Sequence, residues 1–520
     1  MGDTGRISLG FLRPDRLRPF LEKWKFPLCL AVGVCLWGLS LPPYGVGIVG
    51  VLAFVPLLWA SAGESPARAA AWGWAAGILW EFVTLWWLIP TLVHYGNISE
   101  PVALALIVGM CAILGLYMAG FLATVAWLVQ RRGPWAVALA PCAWVLWEWM
   151  RGHLLTGMPW WGPGYALSTY GPFLQFTRVG GILGLSFLAL MGAAAITLWL
   201  KDRHGKLTVR FVPLTLALLG VVYLWGYRQS GQTVLPRAET PVGYLQPDIG
   251  QDVKWDPAHA SSTMDSFSNL SLAFRKYGLK LLVWPETSTP FEWDTDRDYR
   301  KRVTSLSDET AAPILLGSVL SSGGAPQNGA VLVLPGGAEA GRYAKTHLVP
   351  FGEYIPFREW LSFAGPIVNT IGDFQPGSSL APIATPAGKV GVTICFEGIF
   401  PGLVREQVRQ GAQLLVNMTN DAWYEGTPGP YQHFLLERVR AVETDRYLVR
   451  SANRGISGVV NPRGKLLATT AGSGPASFWG LVAPRESRTL WTRIGDLWLL
   501  LALCGVCSAG FWRPGRAPAP

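Results

Sequence analysis

Charged residues are scarce in this 520-residue chain: Asp, Glu, Lys and Arg make up 15%, where a soluble domain carries about 25%. Half of the residues are hydrophobic and the mean hydropathy is +0.30, a balance that excludes a single soluble domain. Cysteine is almost missing from the polar part of the chain. Of seven cysteines, Cys29, Cys35, Cys111, Cys142, Cys504 and Cys507 lie in or beside long apolar runs, which leaves Cys395 alone in a mixed-pattern region. The Cys504-x-x-Cys507 pair falls inside such a run, so helix packing accounts for it better than metal or redox chemistry does. A cleavable leader is not expected either: the basic N-terminal tail runs into an apolar segment with no small-residue cleavage site after it.

What is abundant is unevenly placed. The apolar excess lies before about Trp225 and after about Ile494, leaving a polar insertion of roughly 250 residues, long enough for one large α/β core. Eight apolar segments are readable: Phe26–Ser40, Val46–Ala62, Ala69–Leu92, Val102–Val129, Trp135–Trp149, Gly181–Leu200, Phe211–Trp225 and Ile494–Trp512. Seventeen of the 26 tryptophans precede residue 226, many at the ends of these runs, as an interfacial aromatic belt requires. With the N-terminal tail on the cytoplasmic side, the loops and tails of that side hold fifteen basic residues, and the short loops opposite hold two, Arg151 and Arg178. This predicts eight spans, both termini inside, and the insertion on the far side between spans seven and eight. The net charge of +10 is therefore a topology signal and not a nucleic-acid footprint. The expected division is a basic tail over 1–25, a membrane domain over 26–228, an extramembrane domain over 229–484, and a final span with a cytoplasmic tail over 485–520.

Three features of the membrane part stand out. Glu81 sits within the third run, and Glu148 and Arg151 end the fifth, one helical turn apart; ionisable groups there are costly and often functional, while a structural clasp fits the same spacing. The stretch Gly157-Met-Pro-Trp-Trp-Gly-Pro-Gly-Tyr165 is incompatible with a regular helix and suits an elbow at the membrane surface.

From about Pro241 short β-branched runs alternate with charged helical segments, which predicts a layered α/β fold. The strand runs are continuously apolar, so both faces of the sheet are covered. The central one, Lys389-Val-Gly-Val-Thr-Ile-Cys395, breaks at the lone polar-region cysteine. Cys395 admits two readings, a nucleophile where the backbone leaves the sheet or a small core hydrophobe. Glu286, ending Lys280–Glu286, caps the next helix or acts as a base. Lys345 is a solvated charge or an oxyanion partner. The three complement one another chemically: a thiol is mostly protonated at neutral pH, a carboxylate takes its proton, and an ammonium stabilises the oxyanion.

Trp284-Pro-Glu286, Lys345-Thr-His-Leu-Val-Pro-Phe-Gly-Glu353-Tyr354, Ile394-Cys-Phe-Glu397 and Asn420-Asp-Ala-Trp423 resemble the successive signatures of the nitrilase (carbon–nitrogen hydrolase) superfamily. With the flanking apolar runs, Trp147-Glu-Trp-Met-Arg-Gly152, Leu155-Thr-Gly-Met-Pro-Trp160 and Gly426-Thr-Pro-Gly-Pro-Tyr-Gln-His433, the chain is similar almost end to end to the bacterial apolipoprotein N-acyltransferases. The resemblance implies a polytopic helical membrane domain and an αββα sandwich. It implies Glu286 as general base, Lys345 as oxyanion stabiliser and Cys395 as nucleophile. Glu353 and Glu397 are the implied supporting residues, and Trp255 and Trp423 the lipid-contacting aromatics of mobile loops. Phe396 departs from the tyrosine common in relatives, and Pro247-Asp248 replaces a Gly-Asn. The implied reaction is acyl transfer from a phospholipid, through a Cys395 thioester, to the α-amine of a diacylated apolipoprotein in the inner membrane, by a monomer without cofactor or metal. Two rivals share parts of this pattern: a membrane-tethered amidohydrolase with the same triad, and a non-enzymatic lipid transporter or receptor, against which the runs show no obvious repeat and few buried charges.

Overall fold

The computed structural model describes residues 14–232, 239–356, 373–469 and 474–511. Much of the expected basic tail, Arg237, Thr470, Trp512, Arg513 and Arg516 lie outside them.

Twelve strands are present among the described residues. They are β1 Thr240–Gln246, β2 Leu281–Val283, β3 Ile314–Ser322, β4 Ala325–Val333, β5 Glu339–Ala344, β6 Ile383–Thr385, β7 Gly388–Ile394, β8 Leu414–Thr419, β9 Leu448–Ala452, β10 Gly458–Val460, β11 Leu466–Thr469 and β12 Ala476–Val482. They form two six-stranded sheets, ordered β12-β1-β2-β3-β4-β5 and β11-β10-β9-β8-β7-β6. Within each sheet the central pairs are parallel (β1 with β2, β2 with β3, β7 with β8, β8 with β9) and the outer ones antiparallel.

Strand alternation decides how these sheets stack. Val242, Tyr244, Leu281, Val283, Leu315 and Leu332 from one sheet meet Val390, Val392, Leu414, Val416, Val449 and Val459 from the other in a shared buried layer. The intervening residues Leu245, Leu282, Ile314, Leu316 and Val331 face outward onto helices Ala260–Leu272 and Arg297–Thr310. On the opposite outer face, Leu415, Leu448 and Val460 pack on helices Pro401–Arg409 and Gly429–Thr444. The result is an α/β sandwich of four layers, helix–sheet–sheet–helix, as expected. Strands β5 and β6 carry no continuous apolar run and escape a reading based on one.

Each of the eight apolar runs falls largely on helix, but among the described residues three helices are long and apolar enough to cross a membrane: Glu100–Arg132, Thr177–Asp202 and Thr208–Ser230. The third run bends by 62° between Pro66–Leu85 and Leu88–His94, and the pair passes the same test only as one broken span. The second run is split at Ala53, the apolar part of the first helix, Trp24–Ser40, is short, and so are the helices of the fifth and eighth. Pro66–Leu85 lies directly on Glu100–Arg132, because a Cβ on Gly77 would come within 2.6 Å of the Gly115 Cα. Small residues bring apolar helices together this way. Thr208–Ser230 leaves Leu214, Leu216, Val221 and Leu224 more than 60% exposed. Helix Gly429–Thr444 joins the two parts, with Leu436, Val439 and Val442 packed in the same core as Leu174, Tyr165 and Ile182.

Candidate active site

The three polar residues that end or follow strands converge. After β2 the backbone leaves the sheet through Trp284-Pro285, and Thr287 takes a left-handed φ of +37°. Neighbouring β3 must carry glycine here, since a Cβ on Gly317 would lie 2.4 Å from the Pro285 carbonyl oxygen and 2.8 Å from the Glu286 Cα. Lys345 is the first residue past β5, and its N–H donates to the Asn328 carbonyl at 2.8 Å. Cys395 is the first residue past β7, at φ +50°, and opens a 3-10 turn over Cys395–Ile399. A non-glycine residue held in that region costs about 1–3 kcal/mol and clusters at functional sites.

Lys345 Nζ donates to Glu353 Oε1 at 2.9 Å and lies 3.8 Å from Glu286 Oε1. The same two carboxylate oxygens accept from Asn328 Nδ2, each at 2.8 Å. One amine and one amide thus bridge both glutamates, and the Val349 N–H donates to Glu353 Oε2 at 2.8 Å. Exposure is low throughout: 8% for Glu286, 1% for Lys345 and 6% for Cys395. Burial disfavours the Lys345 ammonium, but Glu353 and then Glu286 outweigh it and raise its pKa. Burial pushes the Cys395 thiol up well above its usual value, the Glu286 charge adds to this, and Lys345 opposes it. The resting sulfur is a thiol, so attack requires a base to take its proton as the bond forms.

Glu397 is a bolt beneath this arrangement. Its carboxylate accepts from the Tyr343 hydroxyl at 2.8 Å, from the N–H groups of Thr346 and His347 at 2.7 and 3.0 Å, and from the Ile394 N–H at 2.9 Å. It therefore fastens the Lys345 loop to the Cys395 turn. Burial raises its pKa and these donors pull the other way.

Residues 242–475 match the family described as carbon–nitrogen hydrolase, and residues 33–195 match the apolipoprotein N-acyltransferase N-terminal domain. An apolipoprotein N-acyltransferase of Geobacter metallireducens is 34% identical, with 91% of this chain and 93% of the relative covered. That of Rhizobium rhizogenes is 33% identical, with 92% and 93% covered. The chain belongs to the apolipoprotein N-acyltransferases. Among solved structures it is similar to a carbon–nitrogen hydrolase from Helicobacter pylori (18% identity, TM-score 0.38, 49% of this chain and 92% of that one). Saccharomyces cerevisiae Nit3 is similar at 20% identity and a TM-score of 0.37, over 50% and 95%.

In this N-acyltransferase chain, the remaining expected residues take up places on the loops around the convergence. Trp255 is 45% exposed at the end of the short helix Gln251–Lys254. The Trp423 ring meets Tyr95 edge-on at 5.0 Å, and its carbonyl accepts from Thr91 Oγ1 at 2.7 Å, so its loop rests on the bent helix Leu88–His94. Asp248, at φ +56°, pairs with Arg454 at 2.6 Å and accepts from the Gly474 N–H at 2.8 Å, a loop anchor in this chain. Phe396 packs against Phe400 at 5.0 Å.

Several site residues escape a sequence reading. Asn328 is one polar residue in a strand, with no motif around it. Lys254, beside the expected Trp255, is buried and donates to the Glu286 carbonyl at 3.1 Å and to Thr287 Oγ1 at 2.9 Å. Burial lowers its pKa to about 8 against the pull of Glu286. His433 lies behind the cysteine, with Nε2 3.3 Å from the Cys395 carbonyl oxygen and 2.8 Å from Glu437, and Nδ1 2.9 Å from Asp421. Arg450 pairs with both of those carboxylates, at 2.6 and 3.0 Å. Burial opposes a charged His433, but Glu437 and Asp421 prevail and push its pKa up to about 9.

Proposed function

We propose that this chain moves a fatty acyl chain from a membrane phospholipid to the α-amine of the diacylglyceryl-cysteine that begins an apolipoprotein. Cys395 Sγ attacks the phospholipid ester carbonyl while Glu286 takes the thiol proton. The resulting oxyanion forms beside the Lys345 ammonium, which Glu353 orients. Collapse breaks the ester C–O bond, Glu286 returns the proton to the departing lysophospholipid oxygen, and a thioester remains. The apolipoprotein amine then attacks that thioester, Glu286 takes its proton, and collapse of the second tetrahedral adduct releases the amide and restores the thiol. Glu397 holds the cysteine turn, and Trp255 and Trp423 contact lipid from their loops.

The observation that carries this reading is the placement of one buried ammonium 2.9 and 3.8 Å from two carboxylates, with a buried thiol within their field. The membrane reading goes with it: eight spans, several short or broken, over 26–228 and 485–520, a bacterial inner-membrane location, the catalytic unit over 229–484 in the periplasm, and both termini cytoplasmic. The fifteen-to-two distribution of basic residues supports this orientation, and the exposed apolar side chains of Thr208–Ser230 support contact with lipid. Both substrates keep their acyl chains in the bilayer, so a site at its surface spares extracting them into water. The enzyme acts as a monomer without cofactor.

Incubation of the full chain with phospholipid labelled in its acyl chain, followed by peptide mapping, tests the reading. A labelled thioester on Cys395 that discharges on adding a diacylated lipopeptide is the expected result. Transfer at the normal rate by Cys395→Ala, or steady release of free fatty acid with no lipopeptide product, would overturn it.

A further inference from the structure

The intramembrane ionisable residues have a use that leads to the nucleophile. Glu81 and Arg151 are each 6% exposed and pair at 2.7 Å between Arg151 Nη1 and Glu81 Oε1. Glu148 is not the partner of Arg151 in this ion pair; it accepts from Trp144 Nε1 at 2.7 Å. The second guanidinium nitrogen, Nη2, donates to the Trp160 carbonyl at 2.7 Å. Trp160 sits in the elbow between helices Ala140–His153 and Pro163–Ser168, where Thr156, Gly157 and Trp161 all have positive φ. Glu148 supports the same elbow from its other end, since a Cβ on Gly162 would lie 2.0 Å from its Oε1.

From the elbow the contacts pass into the catalytic unit. Trp160 Nε1 donates to Gln432 Oε1 at 2.7 Å, and its ring stacks over the next residue, His433, at 6.0 Å. Trp87 Nε1 donates to the same Gln432 oxygen at 3.2 Å. His433 in turn faces the Cys395 carbonyl. A continuous buried path thus runs Glu81–Arg151–Trp160–Gln432/His433–Cys395.

We infer that Arg151, anchored by Glu81 among the apolar helices, is a positioning residue for Cys395, acting through the Trp160 elbow on the helix that backs the nucleophile. The guanidinium is suited to this because its two terminal nitrogens reach two acceptors in a fixed plane; an ammonium on a flexible stem does not reproduce that fork. A left-handed cysteine turn needs such backing, because it holds its conformation only where its surroundings impose it. The inference rests on the proposed chemistry at Cys395.

The test uses the full chain in mixed micelles and follows thioester formation from labelled phospholipid. Arg151→Lys should lower the maximal rate about tenfold, with the phospholipid fraction at half-maximal rate unchanged within about twofold. Trp160→Phe, which removes the Nε1 donor and keeps a ring, should lower it about fivefold. The double variant should lose no more than the worse single one, since both interrupt one path. A normal rate in either single variant, or losses that multiply in the double, would overturn the inference. If Arg151→Lys does not fold, Glu81→Gln takes its place in the same cycle with the same criteria. Alkylation of Cys395 by iodoacetamide is followed through the same cycle and needs no acyl donor. Failure of phospholipid to label wild-type Cys395 would therefore refute the donor reading, while the alkylation cycle still decides the positioning role.

Discussion

Asn328 carries a larger share of the site than a neutral side chain usually does. Its Nδ2 bonds both glutamates while Lys345 bonds one and approaches the other, so a single amide and a single charge bridge the two carboxylates, and the Val349 N–H holds Glu353 in addition at 2.8 Å. Hydrogen bonds to charged groups contribute about 1.5–3 kcal/mol. Asn328→Ala should therefore slow thioester formation by about 10- to 100-fold, and Asn328→Asp by more, because a third carboxylate joins Glu286 and Glu353 around Lys345. Single-turnover labelling from phospholipid checks both, and a normal rate in Asn328→Asp would count against the shared hold. His433 gives a pH-dependent prediction. Its folded pKa is about 9 against an ordinary value of about 6.5, so its charge stabilises the fold fully below pH 6.5, by about 3 kcal/mol. That contribution is lost as pH rises through about 9. The melting temperature of His433→Gln should lie well below that of the wild type at pH 6, and the gap should narrow toward pH 10. Glu286 and Cys395 were legible because each stands where an apolar run stops, a position at which a polar residue is conspicuous, whereas Lys345 follows a strand with no such run and stood out only through the motif Lys345–Tyr354. Asn328 and Lys254 were not legible, because what makes them unusual is burial among charges, and that is set by residues distant in the chain.

At the scale of elements, continuous apolar runs exposed the strands covered on both faces, such as β7 and β8, and missed the edge strand β5. β5 reads Glu339-Ala-Gly-Arg-Tyr-Ala344 with exposed Glu339 and Ala340, and a strand paired on one side needs no apolar run. The apolar runs of the membrane part likewise fixed where helices lie, while hydropathy alone did not mark where they break: Ala69–Leu92 carries Glu81 as its one charge, and the 62° bend at Trp86-Trp87 falls where the Pro90 ring crowds the carbonyl four residues back. Gly317 shows what one element demands of its neighbour. Its missing Cβ lets the Pro285–Thr287 segment lie on β3, and Gly317→Ala would place a carbon 2.4 Å from the Pro285 carbonyl oxygen. Backbone on both sides leaves little room to yield, so about 1–3 kcal/mol of stability should be lost. The Glu286 carboxylate should move with the segment. Thermal melts and thioester formation should fall together, and a variant with normal values of both would show that the segment is less constrained than this contact requires.

At the scale of the whole molecule, the catalytic unit is not tethered loosely to its apolar helices. Helix Gly429–Thr444 has one face on the second sheet and another in the core formed by the apolar helices. Arg178, on helix Thr177–Asp202, pairs at 2.5 Å with Asp445, just past its end. In the proposed orientation such a joint holds the site on the periplasmic side of the bilayer. The exposed Ser262, on the outer helix of the sandwich, and the exposed Arg203, in the turn after helix Thr177–Asp202, lie on opposite sides of the membrane in this reading. In intact cells with a permeable outer membrane, Ser262→Cys should react with a membrane-impermeant maleimide. Arg203→Cys should react only after the inner membrane is opened. The six other cysteines outside the site lie in apolar helices and Cys395 is buried, so background labelling should be low. Labelling of position 203 in intact cells, with position 262 protected, would place the acyl acceptor on the wrong side of the membrane for the proposed reaction and invert the whole arrangement.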